Sequence, residues 1–305
     1  MAFNFSVFKV RALSAIVFVL IMLAGLLFNS WSYFALFLLI QIGCLYEYQK
    51  LMRVIFPSYQ QISKMHQWGV LVVGLFMMTS LAPTDIILPA AILQKLPPAY
   101  QGIGLRWIGL KAMPVALVLM LVADVFTRKA DIRNISISFF GFIYISISLS
   151  LFYAMRGMFL NSAMSMFFPN IELMVPILVI VTVWVNDTMA YIVGSFIGRT
   201  PISPISPKKT WEGTIGGIVF TLLLGFIIGK YINEGNTFFW IISAVIIAPG
   251  SIFGDLLESL FKRSLNIKDT GTILPGHGGI LDRFDAALFS IPFFYCWNMV
   301  YYYWN

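Results

Sequence analysis

Charge is scarce in this sequence. Aspartate, glutamate, lysine and arginine make up 11% of the residues, against about a quarter in a soluble domain, so a water-soluble globule of ordinary composition is excluded. Cysteine is nearly absent. Cys44 and Cys296 both lie in apolar stretches, which argues against a disulfide framework or a thiolate metal site. No internal repeat or low-complexity tract is present, so an inverted-repeat transporter gains no support. The basic residues form no basic domain, and nucleic acid is not an expected partner. Nor is a cleavable signal peptide evident: Lys9 and Arg11 precede an apolar run over 13–28, but no small-residue cleavage site follows and a second apolar run begins at once.

What remains is apolar. Hydrophobic residues are 59% of the chain and the mean hydropathy is +0.87. A helix needs about 20 apolar residues to cross the hydrocarbon core, and that template predicts nine spans, over 13–29, 31–46, 68–82, 112–126, 135–153, 173–193, 214–231, 238–253 and 286–303. The third, fourth and eighth are short and read as tilted, interfacial or partly re-entrant. The fold class expected is an all-α polytopic membrane protein with about nine transmembrane helices. With the amino terminus in the cytoplasm, fifteen of the 20 basic residues fall on the inner side, the bias that orients membrane proteins. The same bias accounts for the net charge of +7. Trp31, Trp68, Trp107 and Trp240 lie near span ends and fit an aromatic belt. His66, beside Trp68, reads as interfacial, and Asp124 as a partner for Arg128 one turn on.

More than half of the 13 acids lie between residues 186 and 285, so chemistry is expected in a catalytic region, 173–305, following an amino-terminal transmembrane region, 1–172. In Gly254-Asp255-Leu256-Leu257-Glu258-Ser259-Leu260-Phe261-Lys262-Arg263, helical spacing brings Asp255, Ser259 and Lys262 within roughly 60° of arc, with Glu258 on the flank. Asp255 and Ser259 offer oxygens suited to a hard cation, and Lys262 an ammonium for a phosphate. A helix end with an ordinary Glu258–Lys262 pair fits the spacing equally well. Pro275-Gly276-His277-Gly278-Gly279 supplies a turn whose glycines let backbone N–H groups approach an anion. Asp282 and Asp285 follow on one face of a first helical turn, with Arg283 beside them. Two carboxylates so spaced suit Mg²⁺, which takes one or two carboxylates plus substrate phosphates.

The stretch 259–285, SLFKRSLNIKDTGTILPGHGGILDRFD, resembles the signature of the phosphatidate cytidylyltransferase family, with its Lys-Arg, Lys-Asp, His-Gly-Gly and Asp-Arg-x-Asp elements in register. Upstream elements are also similar: Asn186-Asp187 with Ala190-Tyr191, Gly194 and Gly198-Arg199, then Ser206-Pro207-Lys208-Lys209-Thr210-Trp211-Glu212-Gly213. The specific resemblance covers about 100 residues. Asn186 and Asp187 lie inside an apolar span, where an ionisable group is a functional candidate by default, with a structural interhelical hydrogen bond as the alternative. Lys208 and Lys209 sit in a proline-rich loop placed to meet phosphates or anionic lipid. Thr210 and Glu212 open the seventh span and suit a cap.

The resemblance implies attack by the phosphate of phosphatidic acid on the α-phosphorus of CTP, giving CDP-diacylglycerol and pyrophosphate. It implies Mg²⁺ held by Asp255, Asp282 and Asp285, with Ser259, Lys262, Asp282 and Arg283 among the catalytic groups. Asn186, Asp187, Lys208, Lys209, Arg263, Lys268, His277, Gly278 and Gly279 would bind substrate, His277 as an orienting donor rather than a base. The partners expected are CTP, phosphatidic acid, the lipid bilayer and a second copy of the chain in a homodimer. The expected location is the bacterial inner membrane, multi-pass, with the site facing the cytoplasm. The rival readings are a CTP-dependent lipid kinase, a cation-coupled transporter, and a non-catalytic lipid-binding scaffold; only the first also explains aligned carboxylates beside a glycine-histidine turn.

Overall fold

The structure, a computed structural model, describes residues 5–83, 104–127, 131–157, 174–233, 235–265, 267, 270–271 and 278–304. Among these the regular elements are all helices, as the composition requires: backbone polar groups in lipid must be satisfied within the segment. Nine helices run α1 Phe5–Leu27, α2 Ser30–Ile55, α3 Lys64–Ser80, α4 Leu105–Thr127, α5 Ile132–Ala154, α6 Met174–Ile197, α7 Trp211–Ile232, α8 Thr237–Ser264 and α9 Leu281–Trp304. Each contains or overlaps one of the nine expected spans. Six of them, α2 and α4 to α8, are long and apolar enough to cross a membrane. The fourth and eighth helices are longer than their apolar runs suggested, at 23 and 28 residues. Their polar ends, from Arg106 in α4 and through Arg263 in α8, continue the helix beyond the apolar stretch.

Two compact units divide the chain: Met1–Ala154 with Lys268–Arg283, and Met155–Ile267 with Phe284–Asn305. In the first, α2 packs on α5 through aromatic rings. Tyr33 stacks on Tyr153 at 5.3 Å and Phe37 meets Phe152 edge-on at 5.0 Å, while the Tyr33 hydroxyl donates to the Phe152 carbonyl at 3.3 Å. His66 is fully buried rather than interfacial. Its Nδ1 lies 2.5 Å from Asp124 Oδ2 and its Nε2 lies 2.8 Å from Ser138 Oγ, so one imidazole ties α3 to α4 and α5. Asp124 thus has an interhelical partner; Arg128, its expected one, lies outside the described residues. The outer face of α4 carries exposed Val115, Val118, Leu119, Val122, Val125 and Phe126, the surface expected against lipid.

In the second unit, α6 and α7 approach closely at small residues. A Cβ on Gly217 would come within 2.8 Å of the Asn186 carbonyl oxygen, and one on Gly213 within 2.8 Å of the Gly194 Cα. Such small-residue seams let transmembrane helices pack by van der Waals contact where the hydrophobic effect gives no drive. Helices α8 and α9 pack through Phe239, stacked on Trp297 at 6.0 Å, and through Trp240 and Phe294. Trp240 is 1% exposed. It belongs to this packed core and not to an aromatic belt, whereas Trp31, Trp68 and Trp107 are exposed.

Candidate active site

Helices α8 and α9 carry the acidic residues, and glycine brings them together. A Cβ on Gly250 would come within 2.8 Å of Ser290 Cα, and one on Gly254 would collide with the backbone carbonyl of Asp285. With neither present, the two helices touch backbone to backbone at the level of Asp255. The result is a group of three carboxylates, Asp255, Glu258 and Asp285, each with a ligand oxygen within 4.8 Å of the others. Glu258 is 1% and Asp285 8% exposed, while Asp255 is only partly buried. Lys209 pairs with Asp255 and Lys262 pairs with Glu258. The candidate ligand atoms are all hard carboxylate oxygens.

Two lysines reach this neighbourhood from a loop that the sequence closes on itself. Residues 200–211 fold back as a short antiparallel pair. The Ile202 N–H donates to the Lys209 carbonyl at 2.9 Å, and the Trp211 N–H to the Thr200 carbonyl at 2.9 Å. Glu212 clasps the start of the loop, accepting from the Arg199 N–H at 3.1 Å, the Thr200 N–H at 3.2 Å and the Thr200 hydroxyl at 2.8 Å. Thr210 caps α7, its hydroxyl accepting from the Gly213 N–H at 3.2 Å. Lys208 is exposed and Lys209 half-buried at the loop's end. Arg263 is exposed at the end of α8 and its Nε donates to the Ile205 carbonyl at 3.2 Å, holding the same loop.

Beneath the loop lies a cavity of about 370 Å³, walled by Asn186, Asp187, Tyr191, Ser195, Lys208, Lys209, Thr214 and Asp255 among others, within the range of small-molecule sites. Asn186 forms part of the packing between helices. Its side-chain amide donates to Ser251 Oγ at 2.6 Å, and Thr221 Oγ1, which donates to the Gly217 carbonyl at 2.8 Å, lies 3.4 Å from Asn186 Oδ1. Asp187, next along α6, is exposed on the cavity wall.

The structure therefore gathers Asp187, Lys208, Lys209 and Asp255 around one cavity and places Asp255 and Asp285 in one acidic group with Lys262 beside it. Ser259 is half-buried on α8. Asp282 is held in its own turn: its Oδ2 accepts from the Thr270 N–H at 2.9 Å, the Thr270 hydroxyl at 2.9 Å and the Gly279 N–H at 2.7 Å. Gly278 has φ 83°, a left-handed conformation that favours glycine. Arg283 is exposed, its N–H bonded to the Ile280 carbonyl at 3.0 Å. Lys268 and His277 lie outside the described residues. Glu258 is the group that sequence reasoning left on the flank. Its i,i+4 partner Lys262 accounted for it locally, and the acid that gives it a second meaning, Asp285, is 27 residues away in the chain.

Apolar helices here carry a cluster of carboxylate oxygens, and two lysines from a clasped loop line the cavity that Asp255 also borders. The chain belongs to the Cytidylyltransferase family, whose sequence pattern matches residues 9–301. It is 42% identical over 127 residues to a phosphatidate cytidylyltransferase of Synechocystis, covering 40% of this chain and 42% of that one. It is also 44% identical over 111 residues to a phosphatidate cytidylyltransferase of Helicobacter pylori, covering 36% and 42%. To phosphatidate cytidylyltransferase 4, chloroplastic, of Arabidopsis thaliana it is 45% identical over 106 residues, 34% of this chain and 27% of that one. These matches span about two fifths of the relatives' length or less.

Proposed function

We propose that this protein transfers CMP from CTP to phosphatidic acid, producing CDP-diacylglycerol and pyrophosphate. The observation that carries the reading is the convergence of Asp255, Glu258 and Asp285 with Lys209 and Lys262, in a chain of the Cytidylyltransferase family. A phosphate oxygen of phosphatidic acid attacks the α-phosphorus of CTP, a new P–O bond forms, and the bond to the bridging oxygen breaks with its electron pair leaving on pyrophosphate. Phosphoryl-type transfers of this kind need charge neutralisation and in-line placement more than covalent help. No strong base is needed, because a phosphate monoester is largely ionised near neutral pH.

Three carboxylate oxygens converging within one small space fit a divalent cation such as Mg²⁺, and we assign Asp255, Glu258 and Asp285 to hold it. When bound, that ion would offset charge on the triphosphate and its leaving group. Lys208 and Lys209, presented by the loop that Glu212 clasps, contact phosphate oxygens as movable point charges. Lys262, now paired with Glu258, is within reach to change partners when a phosphate arrives. Asp282 holds the turn at Gly279. Arg263 fixes the loop from below, and Lys268 and His277 extend the phosphate contacts from the signature segment. The fifteen basic residues on one side support a site facing the cytoplasm, where the nucleotide is soluble and the other substrate is a lipid. Pyrophosphate release coupled to a pyrophosphatase assay tests the reading. It should require CTP, Mg²⁺ and phosphatidic acid together, and release without phosphatidic acid would contradict it.

A further inference from the structure

Glu47 sits in α2, outside every motif considered so far, and is 2% exposed. Among the described residues its carboxylate is met by backbone N–H groups and a hydroxyl rather than by a cation. Oε1 accepts from the Ile280 N–H at 3.1 Å and Oε2 from the Leu281 N–H at 2.8 Å. These are donors at the start of α9 that have no partner within the helix, and a carboxylate there is also favoured by the helix dipole. The Thr270 hydroxyl lies 3.3 Å from Glu47 Oε2 and 2.9 Å from Asp282 Oδ2. A hydroxyl has one proton, and the shorter distance gives it to Asp282. The two backbone donors therefore carry the Glu47 contact.

Every one of these partners lies in one segment. Thr270 and Gly271 stand at one end of the glycine-histidine stretch, and Gly279, Ile280 and Leu281 at the other. The fit is close on both sides, since a Cβ on Gly271 or on Gly279 would collide with the Glu47 carboxylate. Asp282 joins the same two ends through Thr270 and Gly279. One carboxylate from a distant helix and one from within the segment thus join residues 270–271 to residues 279–281.

We infer that Glu47 is a positioning residue: it touches no substrate, and it clamps residues 270–271 to residues 279–281, fixing the turn at Gly278 and Gly279 and the start of α9 where Asp282 lies. The inference rests on the proposed function for the meaning of that segment, not for the clamp itself. Loss of a hydrogen bond to a charged acceptor should raise local opening by about tenfold or more.

The test is Glu47→Gln in the full-length purified protein, where an amide can accept only one of the two N–H groups. Hydrogen–deuterium exchange should rise about tenfold or more in the peptide covering 278–285 and stay unchanged in α6 and α7, and kcat should fall about tenfold. Wild-type exchange over 278–285 overturns the inference. So does exchange raised equally across all helices, which would make Glu47 a general stabiliser of the fold. If Glu47→Gln yields no folded protein, Gly271→Ala decides, because its methyl displaces the carboxylate without changing the buried charge. The same local rise supports the clamp, and wild-type exchange with wild-type turnover overturns it. A wild-type protein that makes no CDP-diacylglycerol would sink the proposed function and leave the clamp to the exchange data, which need no turnover.

Discussion

Replacing Asp285 with asparagine separates what the acidic group does for catalysis from what it costs the fold. The ligand oxygens of Asp255, Glu258 and Asp285 lie within 4.8 Å of one another. Two full negative charges held at that distance would repel by about 3.5 kcal/mol at an effective dielectric of about 20. Lys209 and Lys262 offset part of that repulsion through Asp255 and Glu258. Asp285→Asn preserves shape and removes one charge, so without divalent cation the variant should melt no lower than the wild type. Saturating Mg²⁺, at about 100 times its dissociation constant, should stabilise the wild type by about 2.7 kcal/mol and leave the variant's melting temperature nearly unmoved. Turnover should fall at least about a hundredfold, equivalent to roughly 2.7 kcal/mol of barrier. Asp131→Asn serves as control. Asp131 caps α5 by accepting from the Asn134 N–H at 2.7 Å, asparagine caps equally well, and both melting and turnover should stay at wild type. The reasoning is refuted if Asp285→Asn folds normally and keeps near-normal turnover across a full Mg²⁺ titration, or if Mg²⁺ stabilises it as much as the wild type.

Lys209→Ala should lower kcat/KM for CTP by about tenfold or more, the worth of a hydrogen bond to a charged group; steady-state kinetics equal to wild type would reduce Lys209 to a counter-ion of Asp255. Asn186→Ala removes the bond to Ser251 and should cost about 1–2 kcal/mol of stability, read in detergent melts, with KM for CTP changed less than twofold; a large KM change would instead make Asn186 a substrate contact. For topology, cysteine introduced at Lys208 in a background lacking Cys44 and Cys296 should resist an impermeant maleimide in intact cells and react once the membrane is opened. Cysteine at Lys230 should label from outside, and the reverse pattern would overturn the orientation.

The helices were legible because a membrane leaves the backbone few choices: nine apolar runs became nine helices. Their ends were less so. The stretch from Asp255 to Arg263 brings five polar residues among its nine and yet continues α8, since helix propensity and the Glu258–Lys262 pair carry the helix past the apolar stretch. The seating of Asp255 followed from its place at the end of an apolar run, and Thr210 as a cap from its position before Trp211. Glu258 was hidden by the adequate local partner one turn on. The sequence suits Asp124 to Arg128 one turn on and His66 to the interface beside Trp68, while the structure pairs the two across 58 residues. Glu47 offered one signal, a carboxylate among apolar neighbours, which in a membrane helix implies a partner. That the partner is the backbone of residues 280 and 281 depends on packing that no spacing rule encodes.

The central claim is that the α-phosphoryl group of CTP ends on the lipid. Purified protein should be given phosphatidic acid, Mg²⁺ and CTP labelled at either the α- or the γ-phosphorus, and the label followed into the lipid fraction. The account predicts that α-label enters the lipid as CDP-diacylglycerol and γ-label leaves in pyrophosphate. Label from the γ position in the lipid, with CDP as the soluble product, would contradict it and identify a CTP-dependent lipid kinase.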